Sequence, residues 1–210
     1  MNLIFFGPPG AGKGTQAELL SELMGIPSIS TGNIIREEVA SESDFGLQLK
    51  SCIDKGQLVA DEIMLNIIKL RLSKPDCVHG FILDGFPRTV AQAKGLKEMG
   101  IVIDKVINIE VDDDLLVGRL GGRRVCIKCG ASYHLENNPS EAGDRCDKCG
   151  ELLVVRDDDR EEIVRERLRV FHENTKPVED YYRNIGSLVS IDGSDSIGGI
   201  AASIAAIVRG

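Results

Sequence analysis

The sequence predicts an α/β protein: a doubly wound parallel sheet of five strands flanked by helices, with two small inserted modules. Three observations carry this. Short apolar runs alternate with helix-type runs along the 210 residues, the pattern of parallel strands joined by helical crossovers. The first apolar run leads directly into Gly7-Pro8-Pro9-Gly10-Ala11-Gly12-Lys13-Gly14-Thr15 and then a helix-type segment. Two stretches, one beginning at Ser30 and one at Gly121, are polar, punctuated by Gly and poor in core residues, so they read as excursions from the sheet.

Leu3-Ile4-Phe5-Phe6 is the first strand, and Gln16 to Met24 is a helix stopped by Gly25. Strand, glycine-rich turn and helix together make the context of a phosphate-binding loop. Its glycines let successive N–H groups turn inward toward an anion, and the helix start adds the positive end of its dipole. Lys13 adds a mobile charge for the terminal phosphates. One departure from G-x-x-x-x-G-K-[ST] is that Gly14 precedes Thr15, so Thr15 or a water takes the usual hydroxyl position beside Mg²⁺.

Ile26 to Ile29 is a second strand. Thr31 is expected to cap a helix over Asn33 to Ala40, and a further helix runs from Phe45 to Lys55, ended by Gly56. Asp61 is expected to cap Glu62 to Leu72, with Ile63, Ile67 and Leu70 on its buried face,. Gly80 to Asp84 is an apolar run ending in an acid, a buried parallel strand with a carboxylate at the edge where ligands bind. Asp84 is therefore the candidate Mg²⁺-side carboxylate; a turn or cap role is the alternative. Thr89-x-x-Gln92 makes a capping box for a helix stopped by Gly100,. Lys105 to Val111 is a strand, followed by Asp112-Asp113-Asp114 at a helix start, where the dipole favours negative charge. After the second excursion come helices over Arg160 to Asn174 and Val178 to Asn184, a strand over Leu188 to Ile191, and a closing helix over Ile197 to Val208.

The formal net charge of −8 argues against nucleic acid or an anionic membrane as a partner, since both need a basic face. Any phosphate site must be a local basic pocket. No run is long and apolar enough to span a bilayer. No basic leader precedes the first apolar run, so a secretory signal is not expected and the location is cytoplasmic. The six cysteines then read as thiols or metal ligands. Cys52 and Cys77 stand alone, as buried fillers. Cys126-x-x-Cys129 and Cys146-x-x-Cys149 lie sixteen residues apart, each followed by Gly, and that spacing suits a four-thiolate structural zinc site. Iron at the same ligands or two disulfides compete with zinc. With four sulfurs closing the shell, His134 reads as an exposed loop histidine.

Gly7 to Thr15, Ser30-Thr31-Gly32-Asn33, Asp84-Gly85-Phe86-Pro87-Arg88-Thr89, Gly122-Arg123-Arg124 and Arg156-Asp157-Asp158-Asp159 follow one another as in adenylate kinases. The chain resembles that family over its whole length, in the long bacterial-type form with a zinc-bearing lid. The resemblance implies a P-loop NTPase-type core over residues 1–29, 60–121 and 160–210. It implies an AMP-binding insert over 30–59 and a lid over 122–159. It implies the reaction ATP + AMP = 2 ADP with Mg²⁺, nucleotides as the only partners, and a monomer.

Carried over residue by residue, Gly10, Ala11, Gly12, Lys13, Gly14 and Thr15 hold ATP phosphates. Arg119 and Arg123 meet ATP, the former at the adenine. Ser132 and Tyr133 in the lid help, and the backbone near Asp195 touches adenine. Thr31, Arg36, the backbone at Gln57, Leu58 and Val59, and Gly85, Phe86, Pro87, Arg88 and Gln92 hold AMP. Arg156 and Arg167 close over the transferring group. Asn33 replaces the family's usual Asp, removing a charge beside the AMP site, and Gln57 stands where Lys is common. The acceptor is already an anion, so no general base is needed. The task falls to fixed cations: Lys13, Arg36, Arg88, Arg119, Arg123, Arg156 and Arg167, with Lys13, Arg88, Arg123, Arg156 and Arg167 as the catalytic set. Arginine suits because its fork grips phosphate in two places. Arg160, Arg165 and Arg169 read as helix-face partners of Glu161, Glu162 and Glu166; Arg124 is left open. The nearest competing function is a UMP/CMP-type kinase. A zinc-ribbon nucleic-acid binder and a non-catalytic nucleotide sensor are more distant.

Overall fold

Asn2–Phe6 forms β1, the central strand of the sheet, in a computed structural model that describes residues 1–209. Leu3, Ile4, Phe5 and Phe6 are all buried, as expected of a parallel strand covered on both faces. Alternate residues point to opposite sides. Ile4 and Phe6 join one core cluster and Leu3 and Phe5 the other. Fully burying a side chain of this size contributes about 2 kcal/mol, so the strand anchors both layers at once.

The remaining core elements follow in order: α1 (Lys13–Met24), β2 (Ser28–Ser30), α2 (Thr31–Ala40), α3 (Asp44–Asp54), α4 (Asp61–Leu72), β3 (Phe81–Asp84), α5 (Val90–Glu98), β4 (Lys105–Glu110) and α6 (Asp113–Gly121). Three short strands come next: β5 (Arg123–Cys126), β6 (Ser132–His134) and β7 (Leu153–Val154). The chain ends with α7 (Glu161–Val170), α8 (Pro177–Asn184), β8 (Leu188–Asp192) and α9 (Ile197–Arg209). The five-stranded sheet has the order β2-β3-β1-β4-β8 and every pairing is parallel. The register Phe5↔Asp84 and Phe6↔Asn108 brings the C-terminal ends of β1, β3 and β4 to one edge. Residues 123–154 form a separate antiparallel sheet, β6-β5-β7. Among the described residues no helix is long and apolar enough to cross a membrane.

Several expected details differ. The second strand lies at Ser28–Ser30 rather than over Ile26 to Ile29. Thr31 is the first residue of α2 and not its cap, because its hydroxyl donates instead to Gly85 O at 3.0 Å. Asp61 likewise begins α4 without capping it, since its carboxylate accepts from Thr89 Oγ1 and Gln92 Nε2. The buried face of α4 is Met64 and Ile68, while Leu70 is 71% exposed. The capping box is half formed: Thr89 Oγ1 accepts from the Gln92 amide, but Gln92 Oε1 turns to the Arg88 amide. The helix expected to reach Asn174 is regular only to Val170. Phe171–Thr175 widens into a π turn ahead of Pro177, with Lys176 N bonded to Phe171 O at 2.8 Å. A proline has no N–H to continue the ladder.

Candidate active site

The edge where β1, β3 and β4 end is the floor of a cavity of about 1060 Å³. β1 leads into Gly7, at φ 135°, where an added Cβ would sit 2.5 Å from Ile109 O. Only glycine lets the loop pass this close to β4. The loop through Thr15 lines the cavity, and α1 opens from it. Lys13 Nζ arches back to donate to Gly7 O at 2.8 Å and Pro8 O at 2.7 Å. Burial brings its pKa down to about 8, partly opposed by Asp84 and reinforced by Arg88, Arg167 and Arg123.

Among the further cations on the cavity walls are six arginines, Arg36, Arg88, Arg119, Arg123, Arg156 and Arg167. They come from α2, the turn after β3, α6, β5, the segment after β7, and α7. Burial lowers the Arg88 pKa to about 10, with Arg167 adding to the effect. Burial, then Arg123 and Arg36, lower that of Arg156 to about 9. Arg36 is lowered mainly by burial. Withdrawing like charges from water is costly unless anions offset them. Two anions do so. The Asp159 carboxylate accepts from Arg123 Nε at 2.7 Å and Arg167 Nη1 at 3.2 Å, and Asp158 lies 3.0 Å from Arg167. Burial alone would raise the Asp158 carboxyl, but Arg167, Arg123, Arg36 and Arg156 outweigh it and hold it below the usual range. The compensation is incomplete, since Arg156 Nε is buried with no partner. A cavity with this much spare positive charge suits a polyanion.

The expected site residues divide into two groups. The loop from Gly10 to Thr15, Leu58, Asp84, the segment Gly85 to Arg88, Ser132, Tyr133, Asp195 and the six arginines line the cavity. Thr31, Gln57, Val59 and Gln92 do not. Thr31 and Gln92 are 1% exposed and brace the segment 85–88, through the Thr31 bond to Gly85 O and the Gln92 bond from the Arg88 amide at 2.7 Å. Arg88 Nε donates to Gly85 O at 2.8 Å, which tightens the same turn. Asp84 ends β3 with its carboxylate toward Gly14, where an added Cβ would lie 3.4 Å from Oδ2. Arg160, Arg165 and Arg169 pair on the surface with glutamates, as expected.

Asp158 and Asp159 adjoin Arg156, but no local pattern marks them as counter-ions. His134 is not the exposed loop residue expected. It ends β6, opposite Arg123, and lines the cavity. Its Nδ1 accepts from the amides of Glu136 and Asn137 at 3.0 and 3.1 Å, and its Nε2 is buried without a partner against Gly122. The pairing of β6 with β5 is a tertiary fact that no local pattern announced. The antiparallel sheet also touches the other lobes. Lys148 Nζ lies 3.3 Å from Glu18 on α1, and Gly130 faces Asn33 of α2.

At the end of β5, Cys126, Cys129, Cys146 and Cys149 bring four sulfurs within 4.8 Å of one another. Cys126 Sγ is 3.4 Å from that of Cys149, and Cys129 Sγ is 3.5 Å from that of Cys146. All four are free thiols, so the two-disulfide alternative is not realised. The two pairs fold alike: Gly130 N donates to Cys126 O and Gly150 N to Cys146 O, at 2.9 and 2.8 Å. Both glycines have φ near +75°, at 76° and 72°. Sulfurs around one tetrahedral ion at 2.3 Å would be about 3.8 Å apart, so the donor set and its spacing fit a metal held by four thiolates. Tyr133 OH accepts from Asp147 N at 2.9 Å and touches Cys146 Sγ at 3.4 Å, joining this cluster to the cavity wall.

A family model described as adenylate kinase matches residues 5–187. Curated relatives named adenylate kinase are similar along the whole chain. One from Archaeoglobus fulgidus is 53% identical over 213 residues, covering 100% of this chain and 98% of its own length. One from Bacillus cereus is 53% identical over 214 residues, with 100% and 99% covered. One from Bacillus mycoides is 52% identical over the same span.

Proposed function

The chain belongs to the adenylate kinase family, and we propose from that premise how its own residues divide the work of the reversible transfer ATP + AMP = 2 ADP. The observation that carries the proposal is the convergence of Lys13 and six arginines on one cavity. An anionic phosphate acceptor needs no general base. It needs two polyanions held in line and the charge on the transferring group spread over fixed donors.

The amides of Gly10 to Thr15, with Lys13, grip the donor's β- and γ-phosphates. Arg119 and the backbone at Asp195 take its adenine, and Ser132 and Tyr133 cover it from the lid. Arg36, Arg88 and the turn Gly85-Phe86-Pro87 take the AMP phosphate, while Gln57, Leu58 and Val59, with Thr31 and Gln92, complete the AMP site. For Thr31 and Gln92 this works through the turn they brace. Arg123, Arg156 and Arg167 surround the group in flight. Asp84 and Thr15 would hold the Mg²⁺ that arrives with ATP and supplies further charge neutralisation on the phosphates. The segments 30–59 and 122–159 move as lids over a core made of 1–29, 60–121 and 160–210, sealing out water that would hydrolyse ATP. The four cysteines hold structural Zn²⁺, which staples a lid too small for a core of its own. The thiols suit a reducing, cytoplasmic setting, and the protein works as a monomer.

Incubation with Mg-ATP and AMP should yield ADP, and AMP should be favoured over CMP, UMP and GMP. Arg88→Ala should lower turnover by roughly 10²–10³-fold, the range for losing one transition-state donor, while the fold persists. Absence of ADP together with no affinity for a dinucleotide bisubstrate mimic would overturn the proposal.

A further inference from the structure

We infer that Gln16 is a positioning residue for the base of the phosphoryl donor, fixing the backbone wall at 193–197 at a set distance from the phosphate loop. The inference rests on the proposal above that the donor's base lies against this wall. Gln16 directly follows the loop on α1 and is 2% exposed. Its Nε2 donates to Ile197 O, at the start of α9, at 2.9 Å. Arg119 Nη1 donates to Gly193 O at 3.0 Å, at the other end of the same segment. Ser194, Asp195 and Ser196 lie between these two clamps and line the cavity, as Gln16 itself does.

The rest of the segment is internally satisfied. The Ser194 amide donates to Asp192 Oδ1 at 2.8 Å and the Ser196 amide to Asp195 Oδ1 at 2.6 Å. Its shape is therefore set locally, while its position relative to the phosphates is set by the two clamps together with the Gly193 amide, which donates to Glu110 O of β4 at 2.8 Å. Of these only Gln16 belongs to the element that also carries the loop. The other half of its amide is the telling feature: Oε1 is buried and has no partner. The amide cannot be turned round to relieve this, because Ile197 O can only accept. Leaving a buried acceptor unpaired is costly, and an apolar side chain of the same size would avoid that cost. The one bond this amide makes is therefore the donation that ties Ile197 O to α1.

The test compares ATP with inorganic tripolyphosphate, which has the phosphates but no base. Gln16→Met keeps the volume and removes the donor; Gln16→Leu removes it with a branched apolar side chain that adds no charge. In both, calorimetry should show ATP binding weakened about tenfold, the loss of one buried hydrogen bond, with tripolyphosphate and AMP within about twofold of wild type. Parallel weakening of ATP and tripolyphosphate, or unchanged ATP binding, would overturn the inference. So would a wild-type Gln16 side-chain amide proton that exchanges as fast as a solvent-exposed one. Arg119→Ala separates the two levels of the claim. If it weakens ATP selectively and the Gln16 variants do not, Gln16 alone is misassigned. If none of the three affects ATP, the base lies elsewhere and the underlying site proposal fails as well.

Discussion

Arg123 forks the carboxylate of Asp159, with Nε donating to Oδ2 at 2.7 Å and Nη2 to Oδ1, and the Asp159 side chain is fully buried. Arg167 bonds the same carboxylate. Two cations aimed at phosphate are thus held by one internal anion. Removing one partner of a buried pair costs on the order of 3 kcal/mol, about 6–12 °C in melting temperature for a protein of this size. Asp159→Asn should show that loss in the free enzyme. With a dinucleotide bisubstrate mimic bound, ligand phosphates supply the missing negative charge, so the loss should shrink. Equal losses with and without ligand, followed by scanning calorimetry, would count against a counter-ion role.

Lys13 gives a pH dependence with a definite sign. Its folded pKa of about 8 lies below the ordinary 10.5, chiefly through burial. The unfolded chain therefore holds the extra proton between these values, so this group's contribution to stability rises with pH across that window. Below about pH 8 the full penalty of a buried cation is present. Phosphate binding runs the other way, because it needs the charged form. Tripolyphosphate affinity, measured by calorimetry, should fall as pH rises past about 8, approaching tenfold per unit. Lys13→Arg, which keeps its charge, should flatten the profile; an unchanged slope would remove Lys13 from the effect.

The cysteine cluster stands apart from both main cores. Its own buried cluster is only Cys126, Ala131 and Cys146, far too little to hold a fold without a staple. With Zn²⁺ held there as proposed, its chelation should therefore melt residues 123–154 first and leave the parallel sheet intact. Calorimetry should resolve a low-temperature transition absent from the metal-replete protein, accompanied by weaker ATP binding. A single unshifted transition in demonstrably metal-free protein would refute a structural role.

These outcomes also mark what local sequence could convey. The sheet was legible because its strands are buried on both faces and so appear as unbroken apolar runs, as in Leu3-Ile4-Phe5-Phe6. The cations were legible from motifs, and the cysteines from spacing. What failed was choice among partners. Thr31 and Asp61 look like helix caps, yet Gly85 O and the Thr89 and Gln92 donors claim them. The face of α4 was out of phase because Ile63, Met64, Leu65, Ile67, Ile68 and Leu70 make it apolar nearly all round. Packing against α5 then decides what periodicity cannot. His134 was lost for the same reason, since its burial comes from pairing between strands.

Lys148, in the second cysteine turn, and Glu18, on α1, join the antiparallel sheet to the phosphate-loop helix across 3.3 Å. Glu18, and then Glu22 more weakly, raise the Lys148 pKa, so the lysine stays charged through neutral pH. Both side chains are substantially exposed, and a pair of this kind is worth about 0–1 kcal/mol. At most that allows roughly a fivefold shift in lid closure. If lid opening rather than phosphoryl transfer limits turnover, weakening this pair should make the enzyme faster. Lys148→Gln should raise the KM for ATP by up to about fivefold and raise kcat at low salt. Near 1 M salt the screening length is about 3 Å, and the variant should converge on wild type. Wild-type kcat should also fall as solvent viscosity rises. A kcat that drops in the variant, or that ignores viscosity, would place the slow step in the chemistry instead.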